Sequence, residues 1–295
     1  SEKIVSVFGV IFVTSYVAKS FGPTIFGQMA FSTSLFSMVQ TVAIFGTETI
    51  LFKRISKSAP KGLRLMAVAR TMRLVLLLLT SIPVLIWVWY NMQENFLAFA
   101  LASFISSVFV TQDTFSVYNN ARLASRLNTV ANSVGLLLGF TLSFAIAWLH
   151  LNPLWLTLSI VMVTLVPYVI KRSNFYRENQ DMAPPQEKRN TYLRYLLYAG
   201  LPLAISSIFI SVQVKAAQMF LAGIASARDL GLFAAANTIS ASWIFIPVAI
   251  ITSCFSEIFR ERGAAAIKLT ARLNGYVMGV SLLLLAVIAL YGEQI

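Results

Sequence analysis

Four side chains spaced for one face of a helix carry the clearest chemical signal in the sequence. In SSIFISVQVKAAQMF (206–220), Ser207, Ser211, Lys215 and Gln218 recur at intervals of 4, 4 and 3, which stacks them in one row of a helix. Two hydroxyls, an ammonium and an amide on an otherwise apolar segment suit a wet cavity that attracts anions, and Gln213 extends the polar set. Lys215 lies about seven residues from the end of its apolar stretch, roughly 10 Å at helical rise, which is far for a lysine to reach the interface. Asp113, in SSVFVTQDTFSVYNN (106–120), and Glu48, which ends the row Thr33, Ser37, Gln40, Ile44 and Glu48, are further ionisable groups in apolar surroundings. Such groups are functional candidates by default, here for lining the cavity or for coupling to H+ or Na+. Pairing of Asp113 with Arg122 or Arg126 is the structural alternative. Those two arginines are also candidate contacts for anionic headgroups on the cytoplasmic side. Helix rise sets Asp113 and Lys215 roughly 10 Å or more apart along the membrane normal, which argues against a direct pair.

Catalytic and metal-binding patterns are missing. His150, the single histidine, falls in the turn HLNP, and Cys254 is the single cysteine. The sequence shows no Cys/His metal spacing, phosphate loop or nucleophile elbow. No catalytic residue, metal site or cofactor is assigned, and the chain reads as a non-enzyme.

The solvent of these residues follows from composition. Of 295 residues 58% are hydrophobic and 12% charged, with a mean hydropathy of +0.76; soluble proteins carry about twice that charged fraction. Apolar windows long enough for the bilayer core, about 20 residues, recur at 4–20, 25–52, 74–90, 96–118, 129–149, 153–170, 196–222, 230–256 and 275–292. Backbone groups in lipid must be satisfied within each segment, so every window is expected to be a helix. The class is therefore all-α: a polytopic transmembrane helical bundle. The net charge of +12 is topological. Every Lys and Arg except Lys19, Lys215 and Arg228 falls on one side, including Lys53, Arg54, Lys57, Lys61, Arg64, Arg70 and Arg73 between the second and third windows and Lys171, Arg172 and Arg177 after the sixth. The positive-inside rule assigns that side and the amino terminus to the cytoplasm and removes nucleic acid from the partners.

The chain also repeats itself. At an offset of 204 residues, Gly27 meets Gly231, Ala18 meets Ala222, Ala30 meets Ala234, Arg64 meets Lys268 and Leu78-Leu79 meet Leu282-Leu283. Six spans separate the copies, so both have the same orientation, a parallel repeat of the kind transporters use to enclose a central site. The expected organisation is an N-terminal bundle of six helices (1–170), a cytoplasmic linker (171–195) holding Pro184-Pro185, and the first three helices of a second bundle (196–295). Three further spans would complete that bundle, so the chain reads as part of a twelve-span protein, and the absence of an initial Met agrees.

AKSFGPTIFG (18–27), the polar second span, KRISK (53–57) and DLGLFAAANTIS (229–240) together resemble the polysaccharide transporters of the O-antigen flippase (Wzx) type, in the superfamily that also holds the MATE drug exporters and the lipid II flippases. The resemblance implies two six-helix bundles working by alternating access in the bacterial inner membrane. It implies export of a polyprenyl (undecaprenyl) diphosphate-linked oligosaccharide, an O-antigen, capsular or exopolysaccharide repeat unit, through a cationic cavity in which Lys215 would meet the diphosphate. The lipid bilayer and the polysaccharide polymerase machinery are the partners it implies. A MATE-type cation-coupled drug or metabolite antiporter is the alternative; a membrane-embedded glycosyltransferase or polymerase fits less well, because the external loops are short. Reporter fusions at Arg64 and Arg177 should both read cytoplasmic and one at Glu94 external; Glu94 reading cytoplasmic would overturn the span assignment.

Overall fold

The computed structural model describes residues 9–92, 94–179, 189–243, 271, 274–279 and 281–282. Contacts divide the chain into units 1–237 and 238–295. In the second unit the described residues are all helical. The expected spans around 275–292, together with Cys254, Lys268 and Leu283, lie wholly or largely outside the described residues.

In the first unit a π-helical turn, Gly9–Thr14, leads into α1 (Ser15–Ile44). Gly22 interrupts α1 with φ 80° and ψ 163°, a region open to glycine alone, and Pro23 supplies the fixed φ suited to restarting a helix. Residues equidistant from this break, Val17 with Met29 and Val13 with Thr33, line one cavity. In an unbroken helix Val13 and Thr33 would be about 30 Å apart, so the chain doubles back at Gly22-Pro23. At Phe45 and Gly46, both left-handed, it bends by 46° into α2 (Thr47–Lys57).

Next come α3 (Ala59–Asn91), α4 (Glu94–Gln112), α5 (Phe115–Ala121), α6 (Ser125–Trp148) and α7 (Leu156–Glu178), then α8 (Arg189–Ile224) and α9 (Ala227–Trp243). Among the described residues five helices are long and apolar enough to cross a membrane, or six with the bent α1–α2 pair, and no strand occurs. The protein is an all-α, multi-pass membrane protein. Helix α7 continues to Glu178 and α8 starts at Arg189, so both ends of the expected linker 171–195 are helical.

Side chains follow the lipid rule rather than the aqueous one. Leu79, Ile82, Ile86 and Trp89 of α3 are exposed, as are Leu137 and Leu138 of α6. The interior combines apolar side chains such as Phe36, Leu51, Leu77 and Phe115 with small hydroxyl residues: Ser32, Ser34, Ser103, Ser107, Thr111 and Ser159 are buried. Small residues let helices approach closely. Gly135 and Gly139 of α6 sit against Pro167 and Val163 of α7, and Ser159 donates to the Gly139 carbonyl at 2.9 Å. At the start of α9 the Ser226 Oγ accepts from the Asp229 N–H, while the Asp229 carboxylate accepts from the Ser226 N–H and hydroxyl at 3.3 and 2.6 Å. This capping box holds the Asp229 carboxyl below its ordinary pKa.

The two glycines paired by the repeat offset touch each other. A Cβ on Gly27 would lie 2.2 Å from the Ala227 carbonyl oxygen and 2.7 Å from the Gly231 nitrogen; one on Gly231 would lie 1.8 Å from the Pro23 carbonyl oxygen. Only glycine permits this crossing of α1 and α9. Gly27→Ala should therefore destabilise the protein by about 2 kcal/mol, the scale of core overpacking, whereas Gly223→Ala, with open space around its Cβ, should be neutral or slightly stabilising. Thermal unfolding in detergent compares the two, and equal melting temperatures would refute a close crossing.

Candidate functional site

Helix α8 is long because its sequence is apolar around one polar row, and that row meets α1. Ser207, Ser211 and Lys215 line a groove of about 340 Å³ with Thr41, Ile210 and Val214. Lys215 Nζ donates to Ser34 Oγ at 3.3 Å, and Ser34 Oγ donates to Gln218 Oε1 at 2.7 Å. Thr41 Oγ1 lies 3.5 Å from Ser211 Oγ. Gln218 is buried and Lys215 half-buried. Of the row and its neighbour, Gln213 alone stays apart, exposed and off the groove. Lys215 stands nine residues before the end of α8, about 13 Å along the axis. Among the described residues no carboxylate lies within 4.0 Å of it.

The sequence missed the partners on α1. The row Thr33, Ser37, Gln40, Ile44 and Glu48 is divided by the structure: Thr33 and Ser37 donate to carbonyls of their own helix, and Gln40 Nε2 donates to Ser107 Oγ of α4 at 2.9 Å. Ser34 and Thr41, seven residues apart, are what face α8, and that heptad spacing was the available signal. Glu48 is exposed in the first turn of α2, where the helix dipole favours a carboxylate.

Asp113 sits at the break between α4 and α5. Its carboxylate accepts from the Ser116 N–H at 3.1 Å, from the Ser116 hydroxyl at 2.6 Å and from Lys171 Nζ at 2.7 Å. Lys171, 4% exposed, also donates to Ser116 Oγ. The partner of Asp113 is thus Lys171 rather than Arg122 or Arg126, both of which are exposed and make no side-chain hydrogen bond or ion pair among the described residues. Two cations assigned to loops by sequence are buried. Lys171 lies inside the continued α7, and Arg73, in α3, is fully buried. Arg73 Nε donates to Thr47 Oγ1 at 2.7 Å, and its Nη1 donates to the Thr111 carbonyl at 3.1 Å. One guanidinium therefore joins the first residue of α2 to the frayed end of α4, where carbonyls lack helical partners. Hydropathy windows missed both residues because each lies just past the edge of its window.

A second cavity, of about 290 Å³, lies between α1, α4, α6 and α7, with Thr14, Thr33, Ser106, Ser143, Ser159 and Thr164 among its lining and no ionisable group there. No group of three or more His, Cys, Asp or Glu that could hold a metal occurs among the described residues.

Residues 4–259 match the sequence model of a family described as polysaccharide biosynthesis protein. No curated protein and no solved structure matches the chain.

Breaking a buried ion pair by removing one partner costs about 3–5 kcal/mol. Asp113→Asn should accordingly lower stability by about 3 kcal/mol, and adding Lys171→Met should recover part of that loss. Unfolding of the two single variants and the double variant tests the coupling; strictly additive losses would show that the pair contributes nothing.

Proposed function

The chain belongs to the polysaccharide biosynthesis protein family, and on that premise we propose that it exports a polyprenyl-diphosphate-linked oligosaccharide across the bacterial inner membrane by alternating access. One observation carries this reading: Lys215, deep in a span, opens on a groove lined by three hydroxyls, with no carboxylate within 4.0 Å among the described residues. A mid-membrane ammonium held by neutral hydroxyls leaves its charge for a ligand, and the ligand it suits is an anion that must shed water in transit. A diphosphate between an oligosaccharide and a lipid tail is such a group. Ser207, Ser211 and Thr41 add donors for phosphate or sugar oxygens. The chemistry is recognition and passage; no covalent step is assigned.

The cation-coupled antiporter is not favoured. Its coupling carboxylate would be Asp113, whose oxygens are already committed to Lys171 and Ser116.

In the full-length protein, Lys215→Ala should abolish surface polysaccharide, with lipid-linked repeat units accumulating on the cytoplasmic leaflet and protein levels unchanged. Lys215→Arg should restore part of the output by keeping the charge. Wild-type polysaccharide from the alanine variant would remove Lys215 from the mechanism.

A further inference from the structure

Two arginines outside the groove converge with no carboxylate within 4.0 Å of either among the described residues. Arg70 of α3 donates through Nη2, and Arg172 of α7 through Nη1, to the same oxygen, Tyr168 Oη, each at 3.4 Å. The two nitrogens therefore lie no farther apart than twice that distance, close for two permanent cations. Arg70 also donates to Tyr176 Oη and to Gln112 Oε1, both at 3.4 Å.

Aromatic faces fix both guanidinium groups. Arg70 Cζ lies 5.1 Å from the Phe115 ring centroid, and Arg172 Cζ lies 5.7 Å from that of Tyr176 and 6.0 Å from that of Tyr168, all within cation–π range. Among the described residues neither arginine has a carboxylate within 4.0 Å, and no acceptor takes the phenolic protons of Tyr168 and Tyr176. The guanidinium groups thus reach only neutral acceptors, and the two phenolic protons remain to be donated. A phosphate accepts charge-assisted bonds of about 2.8 Å from several directions at once, which suits two guanidinium groups that share only a phenol.

The depth of the site identifies the carrier of that phosphate. Trp89 and Tyr90 end α3, and Trp148 and Trp155 flank the α6–α7 turn; all four are exposed, as residues of an aromatic interfacial belt are. Arg70 stands 19 residues before Trp89, and Arg172 stands 17 residues after Trp155. At helical rise these separations are about 26–29 Å, close to the hydrocarbon thickness. Two helices thus place the two guanidinium groups independently at the opposite interface, the one flanked by the basic loops, where lipid phosphates reside.

We propose that Arg70, Arg172 and the hydroxyls of Tyr168 and Tyr176 form a binding site for the phosphate of an anionic phospholipid headgroup. The site differs from the headgroup contacts expected at Arg122 and Arg126, and it does not depend on the export reading, because binding is measured without transport. The test is thermal unfolding of the purified full-length protein in detergent, titrated separately with short-chain phosphatidylglycerol, short-chain phosphatidylcholine and inorganic phosphate. Phosphatidylglycerol should raise the melting temperature saturably, and Arg172→Gln should need at least about tenfold more lipid for half the effect, the loss expected for one charged hydrogen bond. Arg70→Gln should do the same. If that half-buried position fails to fold, Arg172→Gln and Tyr176→Phe, both at exposed residues, carry the test. An unchanged midpoint in Arg172→Gln, or an equal response to phosphatidylcholine, overturns the site. An equal response to inorganic phosphate overturns its assignment to a lipid.

Discussion

Hydrocarbon offers no hydrogen bonds, and the described structure is organised around that one fact. Each helix satisfies its own backbone, and a polar group facing inward must find its partner on that backbone or on another helix. Ser34 meets Gln218, Gln40 meets Ser107, and Thr164 meets Ser106. These contacts tie α1 to α8, α1 to α4 and α4 to α7 with hydroxyls and amides, while Leu79, Trp87, Trp89, Leu137, Leu138 and Trp148 turn outward. The hydrophobic effect, which drives soluble cores together, is nearly indifferent between lipid and a neighbouring helix. Packing of small residues and these bonds hold the bundle instead.

The same constraint accounts for the helix breaks. Ending a helix inside a membrane protein exposes carbonyls and amides that water cannot reach. At the α4 end the vacancy at the Thr111 carbonyl is filled by Arg73, which simultaneously holds Thr47 at the start of α2. Asp113 fills the next one by accepting from the Ser116 N–H, and Lys171 balances its charge. The three charged groups are thereby placed in structural work at two breaks, and Arg73 links the helix that follows Phe45-Gly46 to the helix that ends before Asp113.

Fold class was legible in the sequence because hydropathy depends on composition over a whole window. The windows at 74–90, 96–118, 153–170 and 196–222 each fall within a helix that is long and apolar enough to span, and 129–149 overruns such a helix by one residue. The turn at Gly22-Pro23 was legible because few residue pairs reverse a helix so tightly. The groove was half legible: spacing on one helix revealed Ser207, Ser211 and Lys215, but a row on a single helix does not say which residues of another helix face it. Ser34 and Thr41 were therefore passed over in favour of Thr33 and Ser37, whose hydroxyls turn back onto their own backbone. Gln213 was included on polarity alone, and the two-residue step from Lys215 carries it off the row. Arg73 and Lys171 were read as loop charges because a hydropathy window ends where charge begins, whereas a helix continues for as long as its donors find acceptors.

Depth alone does not sort the cations of this protein; partners do. Lys171 has a carboxylate at 2.7 Å, and Arg73 has a carbonyl and a hydroxyl at a pair of helix breaks, so both are accounted for by the fold. Lys215 has a serine, and Arg70 and Arg172 share a phenol. Neutral acceptors satisfy hydrogen-bond geometry and leave the charge in place, and in a medium of low dielectric an unneutralised charge is a strong attractor for an anion. A substitution that supplied a carboxylate beside Lys215 or Arg172 would stabilise the resting protein and remove that attraction. Lys171 is neutralised by Asp113, and Arg73 is fully buried between two helix breaks, whereas Lys215, Arg70 and Arg172 are each at least partly exposed with no carboxylate within 4.0 Å among the described residues, which leaves their charge to a ligand.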